Sequence, residues 1–293
     1  MSAAPPALPA FVPGDYKTDL KPVWCPGCGD FGVLTALYRA MAELQLTPEL
    51  TAVISGIGCS SRLPGYVETY GFNTVHGRAL PLATGVAISR PDVKVIAVGG
   101  DGDGLAIGGN HFMHSARRNL DVTYILMDNE IYGLTKGQVA PTTPTGDKTK
   151  TTHYGNPEPS VDPCELAISF GATWVGRAFS GDLKGTVELI TKALQHRGFA
   201  FLNVMSPCVT WRGDDQFKTL KAKAKPLPTD HDRSSRQEAI KFTRETDVLS
   251  TGVLYEIKTP SLNDRLDTIK VTARAGAPMV TVPEIVKTFL PSF

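Results

Sequence analysis

The chain has 293 residues, of which 42% are hydrophobic and 20% charged, as in an ordinary globular protein. Its formal net charge of +1 gives no electrostatic basis for nucleic acid or an anionic membrane as a partner. No stretch has the roughly 20 apolar residues that span a bilayer, and the proline-broken N-terminus lacks a charged n-region, so no signal peptide is predicted. Five cysteines, an odd and sparse set, predict reduced thiols in the cytoplasm rather than a secreted disulfide framework.

A repeated pattern of apolar strand, turn and helix extends from about residue 30 to residue 210. It begins with an amphipathic helix predicted over 30–44, with Asp30 as its N-cap. The predicted elements that follow, in chain order, are a strand in TAVISGIG, a helix in ALPLATGVAIS, a strand in KVIAVGG, a helix over about 105–118, a strand in VTYILMD, a short helix near Pro163, a strand in TWVGRAF, a helix in DLKGTVELITKALQH and a strand in FAFLNVM. Strands this apolar are covered on both faces, so the pattern predicts an α/β fold with a doubly wound, mostly parallel sheet.

The chain from about residue 214 onward is more polar. It contains a helix-like segment, RSSRQEAIKFTRE, a strand-like segment, VLSTGVLYEI, and an apolar end, VPEIVKTFLPSF. The basic run KTLKAKAKPLP (218–228) is interpreted as a solvated linker. We therefore predict an N-terminal arm (1–22), a central domain (23–213) and a C-terminal extension (214–293) that wraps the core or a partner subunit.

The strand KVIAVGG ends in an acidic, glycine-rich turn, GDGDGLAIGGN. A tight turn that caps a helix is one interpretation. The other is a diphosphate site, in which glycine amides approach the phosphates and Asp101 holds Mg²⁺. Asn129 follows the next strand, so it emerges at the same sheet edge, and a carbonyl near Ile131 would complete the protein ligands. A GDG motif followed by a distant asparagine is the signature of thiamin diphosphate enzymes.

The stretch WCPGCGDFG carries a Cys-x-x-Cys pair. A redox pair would open a helix directly after a strand, and no clear strand precedes it; a zinc site commonly has a second close pair, which is missing. Two further cysteines follow strands, in GIGCSS and SPC, on the edge where the acidic turn lies. The four thiols suit a [4Fe–4S] cluster and are Cys25, Cys28, Cys59 and Cys208. Cys164 is assigned to packing at the start of a helix.

Together these motifs resemble the beta subunit of 2-oxoacid:ferredoxin oxidoreductases, over about residues 20–215. The resemblance rests on WCPGCGDFG, GIGCSSR, TVHGRALPLATG, GDGDGLAIGGNHF, DNEIYGLTKGQ and SPC. It implies the thiamin diphosphate-binding fold of the pyrophosphate-binding type and the same four cluster ligands. It also implies Mg²⁺ at Asp101, Asn129 and the Ile131 carbonyl. The implied cofactor contacts are Ile57, Gly58, Cys59, Ser60, His76, Gly102, Asp103, Gly133 and Leu134.

The resemblance further implies a separate alpha subunit, in an alpha2-beta2 assembly, which holds the aminopyrimidine ring and supplies the activating glutamate. The implied reaction is oxidative decarboxylation of a 2-oxo acid with coenzyme A, giving acyl-CoA, CO₂ and reduced ferredoxin, and reversible toward CO₂ fixation. The chain has no additional ferredoxin-like CxxCxxC run, so its one cluster would pass electrons directly to ferredoxin. Without the alpha subunit the chain is expected to be inactive.

Three side chains are candidate substrate contacts. His76 is either a structural histidine or a donor in the pocket, and Arg62 and Lys136 are either solvated charges or partners for a distal substrate carboxylate. Because YGLTKGQ resembles 2-oxoglutarate-type and broad-range members, 2-oxoglutarate is the predicted substrate and succinyl-CoA the product. Pyruvate or broad-range specificity, a non-oxidative thiamin diphosphate decarboxylase or carboligase, and a zinc or redox-regulatory module are the alternatives. The polar loop 140–159 is predicted to be a lid or to contact a partner.

Overall fold

The computed structural model describes residues 10–275 and 280–290. Its strands are β1 (Thr51–Ser55), β2 (Tyr70–Asn73), β3 (Lys94–Gly100), β4 (Thr123–Asp128), β5 (Trp174–Phe179), β6 (Ala200–Met205), β7 (Ala224–Pro226) and β8 (Leu249–Glu256). In the described residues they form a single sheet of eight strands in the order β2-β1-β3-β4-β6-β5-β8-β7. Strands β1 to β6 are mutually parallel, β8 is antiparallel to β5, and β7 is parallel to β8.

Helices cover both faces of this sheet. They are α1 (Asp30–Glu43), α2 (Ala79–Ser89), α3 (Gly109–Arg118), α4 (Pro163–Phe170), α5 (Leu183–Gln195), α6 (Val209–Arg212), α7 (Asp214–Lys223), α8 (Arg236–Thr243), α9 (Leu262–Ala275) and α10 (Val282–Lys287). Apolar side chains of α1 and α5 form one core layer against the sheet, and those of α2, α3 and α4 form the layer on the opposite face. The predicted doubly wound, mostly parallel α/β fold is therefore confirmed, and its central strands are buried along their whole length.

Two local predictions in the central domain are wrong. Asp30 is not the N-cap of the first helix: Gly29 occupies that position, and Asp30 is buried, with its Oδ1 accepting from Ser206 Oγ at 2.5 Å. The helix predicted over about 105–118 starts earlier, as a π-helical segment (Gly102–Ile107) that leads into α3. Glycine in this segment permits close packing on the sheet, because a Cβ at Gly104 would lie 1.9 Å from the Tyr124 hydroxyl.

The polar C-terminal segments extend the same sheet. The predicted helix and strand near residues 240 and 250 are confirmed as α8 and β8, and α8 packs against α4. The basic run 218–228 is not a linker, since it forms the end of α7 and the edge strand β7. Its four lysines are exposed, three on α7 and one, Lys225, on β7. Among residues 10–275 and 280–290, no helix has the length and apolar character required to cross a membrane.

Candidate functional site

Four neighbouring strands bring the predicted site residues to one edge of the sheet. Strands β1, β3, β4 and β6 are adjacent and parallel, so their carboxyl ends point the same way. The chain leaving them carries, in sheet order, Cys59, Asp101, Asn129 and Cys208. In an open α/β sheet this edge is where ligands bind.

Two of the four predicted cluster thiols, those of Cys59 and Cys208, come together beyond this edge. A Cβ added at Gly133 would lie 3.7 Å from Cys208 Sγ and 3.8 Å from Cys59 Sγ, so these two sulfurs share one space. Burial raises the pKa of the Cys59 thiol to about 11, and the nearby thiols of Cys208 and Cys25 add to that rise. Burial also raises the pKa of Cys28, with smaller contributions that include Cys208 and Cys59. Each thiol therefore lies within electrostatic range of others in the set.

Backbone contacts fix the Cys-x-x-Cys loop against the other cysteine segments. The Gly29 amide donates to the Pro207 carbonyl at 3.0 Å, and a Cβ at Gly29 would lie only 2.7 Å from the Pro207 nitrogen. Trp24 Nε1 donates to the Cys59 carbonyl at 2.7 Å. The loop is thus held on one side by the segment before Cys208 and on the other by the segment that contains Cys59.

Cys164 lies away from this group. It is fully buried in the core layer formed by α2, α3 and α4, where its Sγ donates to the Gly176 carbonyl at 3.7 Å. Of the other cysteines, Cys25 is exposed and the remaining three are half-buried, and all five thiols are free.

In the part of the chain that the structure describes, no three His, Cys, Asp or Glu side chains are close enough to hold a single metal ion. A mononuclear site needs such a grouping. A [4Fe–4S] cluster does not, because each of its cysteine thiolates binds a different iron.

The acidic turn places two buried carboxylates around one hydroxyl. Thr142 Oγ1 lies 2.7 Å from Asp101 Oδ2 and 2.9 Å from Asp128 Oδ1. Burial raises the pKa of Asp101 to about 7, and burial followed by the neighbouring charge of Asp101 raises the pKa of Asp128. Two buried carboxylates that share one hydroxyl repel each other, and a proton or a cation between them removes that repulsion. The donor set therefore fits Mg²⁺, which prefers carboxylate and carbonyl oxygens.

The turn after β4 connects the two groups of ligands. Asn129 Oδ1 accepts from the Ile131 amide at 3.1 Å, which closes the turn, and Glu130 has a left-handed φ of 59°. Four residues beyond Asn129, Gly133 reaches the thiols of Cys59 and Cys208. The predicted metal-binding turn therefore runs directly into the predicted cluster site.

The predicted cofactor contacts lie on the loops around this turn. Asp103 Oδ1 accepts from the amides of Ile57 at 2.9 Å and Gly77 at 2.7 Å, so its carboxylate holds together the loops that follow β1 and β2. Gly58 has a left-handed φ of 133°, which glycine adopts without strain, and Ser60 is buried beside it.

Two aromatic rings lie beside the acidic turn. The His76 ring stacks on Tyr132 with their centroids 6.1 Å apart. The Tyr132 hydroxyl donates to the Gly102 carbonyl at 2.9 Å, and a Cβ at Gly102 would lie 2.4 Å from the Tyr132 ring. Glycine at position 102 is thus required for close approach of the tyrosine, and His76 is held against that tyrosine at the edge of the site.

The predicted substrate cations are on the surface. Arg62 is exposed on a 3₁₀ segment (Ser60–Tyr66) that starts directly after Cys59. Lys136 is exposed with a left-handed φ of 79°, a conformation that costs a non-glycine residue roughly 1–2 kcal/mol. Leu134, also predicted as a cofactor contact, is 46% exposed between Lys136 and Gly133.

Several residues in the site were not predicted from the sequence. These residues contact the predicted metal-binding turn or its carboxylates, and they are Asp128, Thr142, Arg212 and Gln216. Asp128 has a sequence signal, a carboxylate at the end of an otherwise apolar strand. The others lie in polar segments where nothing local distinguishes them. The loop 140–159 is packed rather than open over part of its length, because Thr142, Thr143 and Asn156 are buried.

Comparison with known proteins gives the class and the family. Residues 56–204 match the family described as thiamine pyrophosphate enzyme, C-terminal TPP binding domain, and residues 208–271 match the family described as the C terminal of the pyruvate ferredoxin oxidoreductase beta subunit. The fold and the acidic turn thus define a thiamin diphosphate-binding domain, in agreement with the prediction from the GDG motif. The chain belongs to the beta subunits of the 2-oxoacid:ferredoxin oxidoreductases, which confirms the resemblance seen in the motifs.

The similarity extends over most of the chain. It is 48% identical, over 67% of its length, to subunit beta of 2-oxoacid:ferredoxin oxidoreductase 2 from Aeropyrum pernix, and spans 64% of that protein. It is 47% identical, over 66% of its length, to the 2-oxoglutarate synthase subunit KorB from Methanocaldococcus jannaschii, and spans 72% of that protein. The 2-oxoglutarate:ferredoxin oxidoreductase structure from Magnetococcus marinus, with 2-oxoglutarate, coenzyme A and succinyl-CoA bound, matches with a TM-score of 0.91 and 43% identity, over 96% of this chain and 97% of the matched chain.

Proposed function

We propose that this chain is the beta subunit of an enzyme that oxidatively decarboxylates 2-oxoglutarate with coenzyme A, yielding succinyl-CoA, CO₂ and reduced ferredoxin. The observation that carries the proposal is the turn 129–133. At one end of the turn the Asn129 backbone lies beside the Asp101 carboxylate. At the other end Gly133 lies beside the thiols of Cys59 and Cys208. A non-oxidative thiamin diphosphate enzyme has no use for thiols at that place, and a regulatory zinc module has no use for the buried carboxylates.

The residues that would hold the cofactors are those that the sheet edge assembles. Asp101, Asn129 and the Ile131 carbonyl would bind Mg²⁺, and the thiols would bind the [4Fe–4S] cluster through Cys25, Cys28, Cys59 and Cys208. When bound, thiamin diphosphate supplies the electron sink for decarboxylation and the cluster accepts electrons one at a time. The protein contributes the fixed distance between the two, through a turn closed by its own hydrogen bond.

Other side chains shape the pocket around the cofactor. Asp103 holds the loop that carries Ile57 and Gly58, so that their amides and the glycine backbone line the diphosphate side. His76, held against Tyr132, would donate a hydrogen bond or a proton at the substrate carboxylate. Asp101 and Asp128 would share the Thr142 proton whenever the cation is absent.

The substrate proposal rests on Lys136 and Arg62. 2-Oxoglutarate has a second carboxylate that pyruvate lacks, and an exposed cation beside the pocket would pair with it. A lysine kept at a left-handed φ, where glycine would be unstrained, supports a role for the side chain at that position. Relatives and the matched structure that are named for 2-oxoglutarate point the same way.

The proposed partners are an alpha subunit, in an alpha2-beta2 assembly in the cytoplasm, and a ferredoxin. The edge that would receive the alpha subunit exposes large apolar side chains, which a partner would cover: Ile57 (44% exposed), Val75 (70%), Ile107 (53%) and Leu134 (46%). Ferredoxin would approach from the side of Cys25, the most exposed of the four thiols.

Pyruvate is the second candidate substrate. It is favoured by one observation, namely that residues 208–271 match a family described for pyruvate ferredoxin oxidoreductase. Reversal of the reaction toward CO₂ fixation belongs to the same proposal, because it uses the same site with reduced ferredoxin as the donor.

The test is to purify the complex of this chain with its alpha subunit and measure its iron, acid-labile sulfide and zinc. About four irons and four sulfides per chain are expected, together with ferredoxin reduction that depends on 2-oxoglutarate and coenzyme A. Zinc in place of iron would refute the cluster. Faster ferredoxin reduction with pyruvate than with 2-oxoglutarate would replace the proposed substrate, and decarboxylation without ferredoxin reduction would indicate a non-oxidative enzyme.

A further inference from the structure

Gln216, in the first turn of α7, bridges the two predicted cofactor sites. Its Oε1 accepts from the Cys208 amide at 2.9 Å. Its Nε2 donates to Glu130 Oε2 at 3.0 Å and to the Asn129 carbonyl at 3.4 Å. The side chain is only 9% exposed, so water does not readily replace these contacts.

A glutamine side chain suits this position because it carries an acceptor and donors on one rigid amide group. The Cys208 amide can only donate, so it fixes the carbonyl end of Gln216 toward the cluster segment. The amide end must then face the acceptors of the metal-binding turn. A glutamate would retain an acceptor for Cys208 but place a second carboxylate against Glu130, and a leucine would serve neither side.

A second contact holds the same turn. Arg212, in α6, donates from one guanidinium nitrogen to Glu130 Oε2 at 2.8 Å and from the other to Asp147. The Glu130 carboxylate is therefore bound by Arg212 of α6 and by Gln216 of α7, the two helices that directly follow Cys208. Burial raises the pKa of the Cys208 thiol, and the neighbouring backbone amides of Trp211 and Thr210 partly offset that rise.

We infer that Gln216 is a positioning residue that links the cluster ligand Cys208 to the metal-binding turn at Asn129, so that each cofactor site is held in place by the other. The inference rests on the proposed function, since it needs both cofactors. Loss of one neutral hydrogen bond shifts a conformational equilibrium about fivefold, and more where the acceptor is charged. Disturbing Gln216 therefore changes cofactor loading at sites that its side chain does not itself bind.

The experiment compares Gln216→Leu and Gln216→Glu with the unmodified complex of this chain and its alpha subunit. Gln195→Leu is the matched control, because Gln195 is an exposed glutamine at the C-terminal end of α5, just before β6 begins and therefore at the sheet edge opposite the site. The readouts are iron and sulfide per chain, the electron paramagnetic resonance spectrum of the reduced cluster, and the Kd of thiamin diphosphate measured by calorimetry at fixed Mg²⁺.

The two variants are expected to differ. Gln216→Leu should raise the Kd of thiamin diphosphate about fivefold or more and also lower iron content and alter the cluster spectrum. Gln216→Glu should keep the iron content of the unmodified complex, because a side-chain oxygen still accepts from the Cys208 amide. Its Kd for thiamin diphosphate should still be raised, because the new carboxylate repels Glu130. Gln195→Leu should match the unmodified complex in every readout.

An unmodified complex without iron or without thiamin diphosphate binding would refute the proposed function itself. If the unmodified complex loads normally and Gln216→Leu changes neither readout, or changes only one of them, the inference fails and the proposed function stands. If Gln216→Leu does not fold, Gln216→Glu decides the matter: retained iron with weakened thiamin diphosphate binding supports the link, and any other combination overturns it.

Discussion

Replacing Gly29 by alanine would add a methyl group at the closest approach between two cysteine-bearing segments. The added Cβ would lie 2.7 Å from the Pro207 nitrogen, its Cδ and the Ser206 carbonyl carbon. These atoms belong to the backbone or to a closed ring, so they cannot turn aside as the end of a flexible side chain would. The two segments must therefore separate by about 0.7 Å to reach the 3.4 Å at which ordinary contact begins.

That separation has two costs. Overpacking of this kind destabilises a protein by about 1–3 kcal/mol. The hydrogen bond from the Gly29 amide to Pro207, 3.0 Å long in the structure, would stretch beyond bonding range, which costs about 1 kcal/mol more. Because metal sites tolerate errors of only about 0.2 Å in ligand distances, the displaced Cys28 and Cys208 should no longer share one cluster.

The assay measures iron and sulfide per chain, and thermal unfolding, in the complex with the alpha subunit. Gly29→Ala should lose more than half of its iron and unfold at a lower temperature. Gly85→Ala is the matched control, because a Cβ at Gly85 in α2 would meet nothing within 4 Å. A Gly29→Ala complex with a full cluster and unchanged unfolding would refute the view that this contact sets the spacing of the thiols.

Four further predictions follow from individual side chains. Thr142→Val should lower the free energy of unfolding by about 1.5–3 kcal/mol, measured by urea denaturation without Mg²⁺, because two buried carboxylates lose a donor that they share. Thr142→Ser keeps the hydroxyl and is the control. Equal losses of stability in both variants would contradict this reason. Cys164→Ser should keep its iron and most of its activity, and loss of iron would show that this buried thiol is a ligand. Lys136→Gly should reduce the rate with 2-oxoglutarate more than that with pyruvate, without a loss of stability, since glycine suits the φ of 79°; an equal loss with both substrates would rule out a carboxylate contact. Burial lowers the pKa of His196 from 6.5 to about 4. Between these two pH values the unfolded state binds one more proton than the folded state, so the free energy of unfolding decreases as pH falls from 6.5 toward 4. His196→Asn should flatten this part of the plot of stability against pH, and an unchanged plot would mean that other groups dominate.

The sequence by itself determined the elements of the central domain and the edge on which its chemistry lies. Apolar runs such as KVIAVGG and ALPLATGVAIS match β3 and α2 at both ends. Once those strands are parallel, residues that follow them must emerge together, which is why Cys59 and Asp101 were predicted on one edge. These are consequences of local periodicity and of strand direction, and both can be read along the chain.

Only the tertiary structure decided which side chains complete the site. Asp30 has the position of an N-cap in the sequence, yet it faces Ser206, which is 176 residues away along the chain. Thr142 and Gln216 lie in polar stretches without a distinguishing pattern, and they acquire their partners through the order of the strands and the packing of α7. A contact between segments far apart in sequence depends on how whole elements pack, and periodicity within one segment carries no record of that packing.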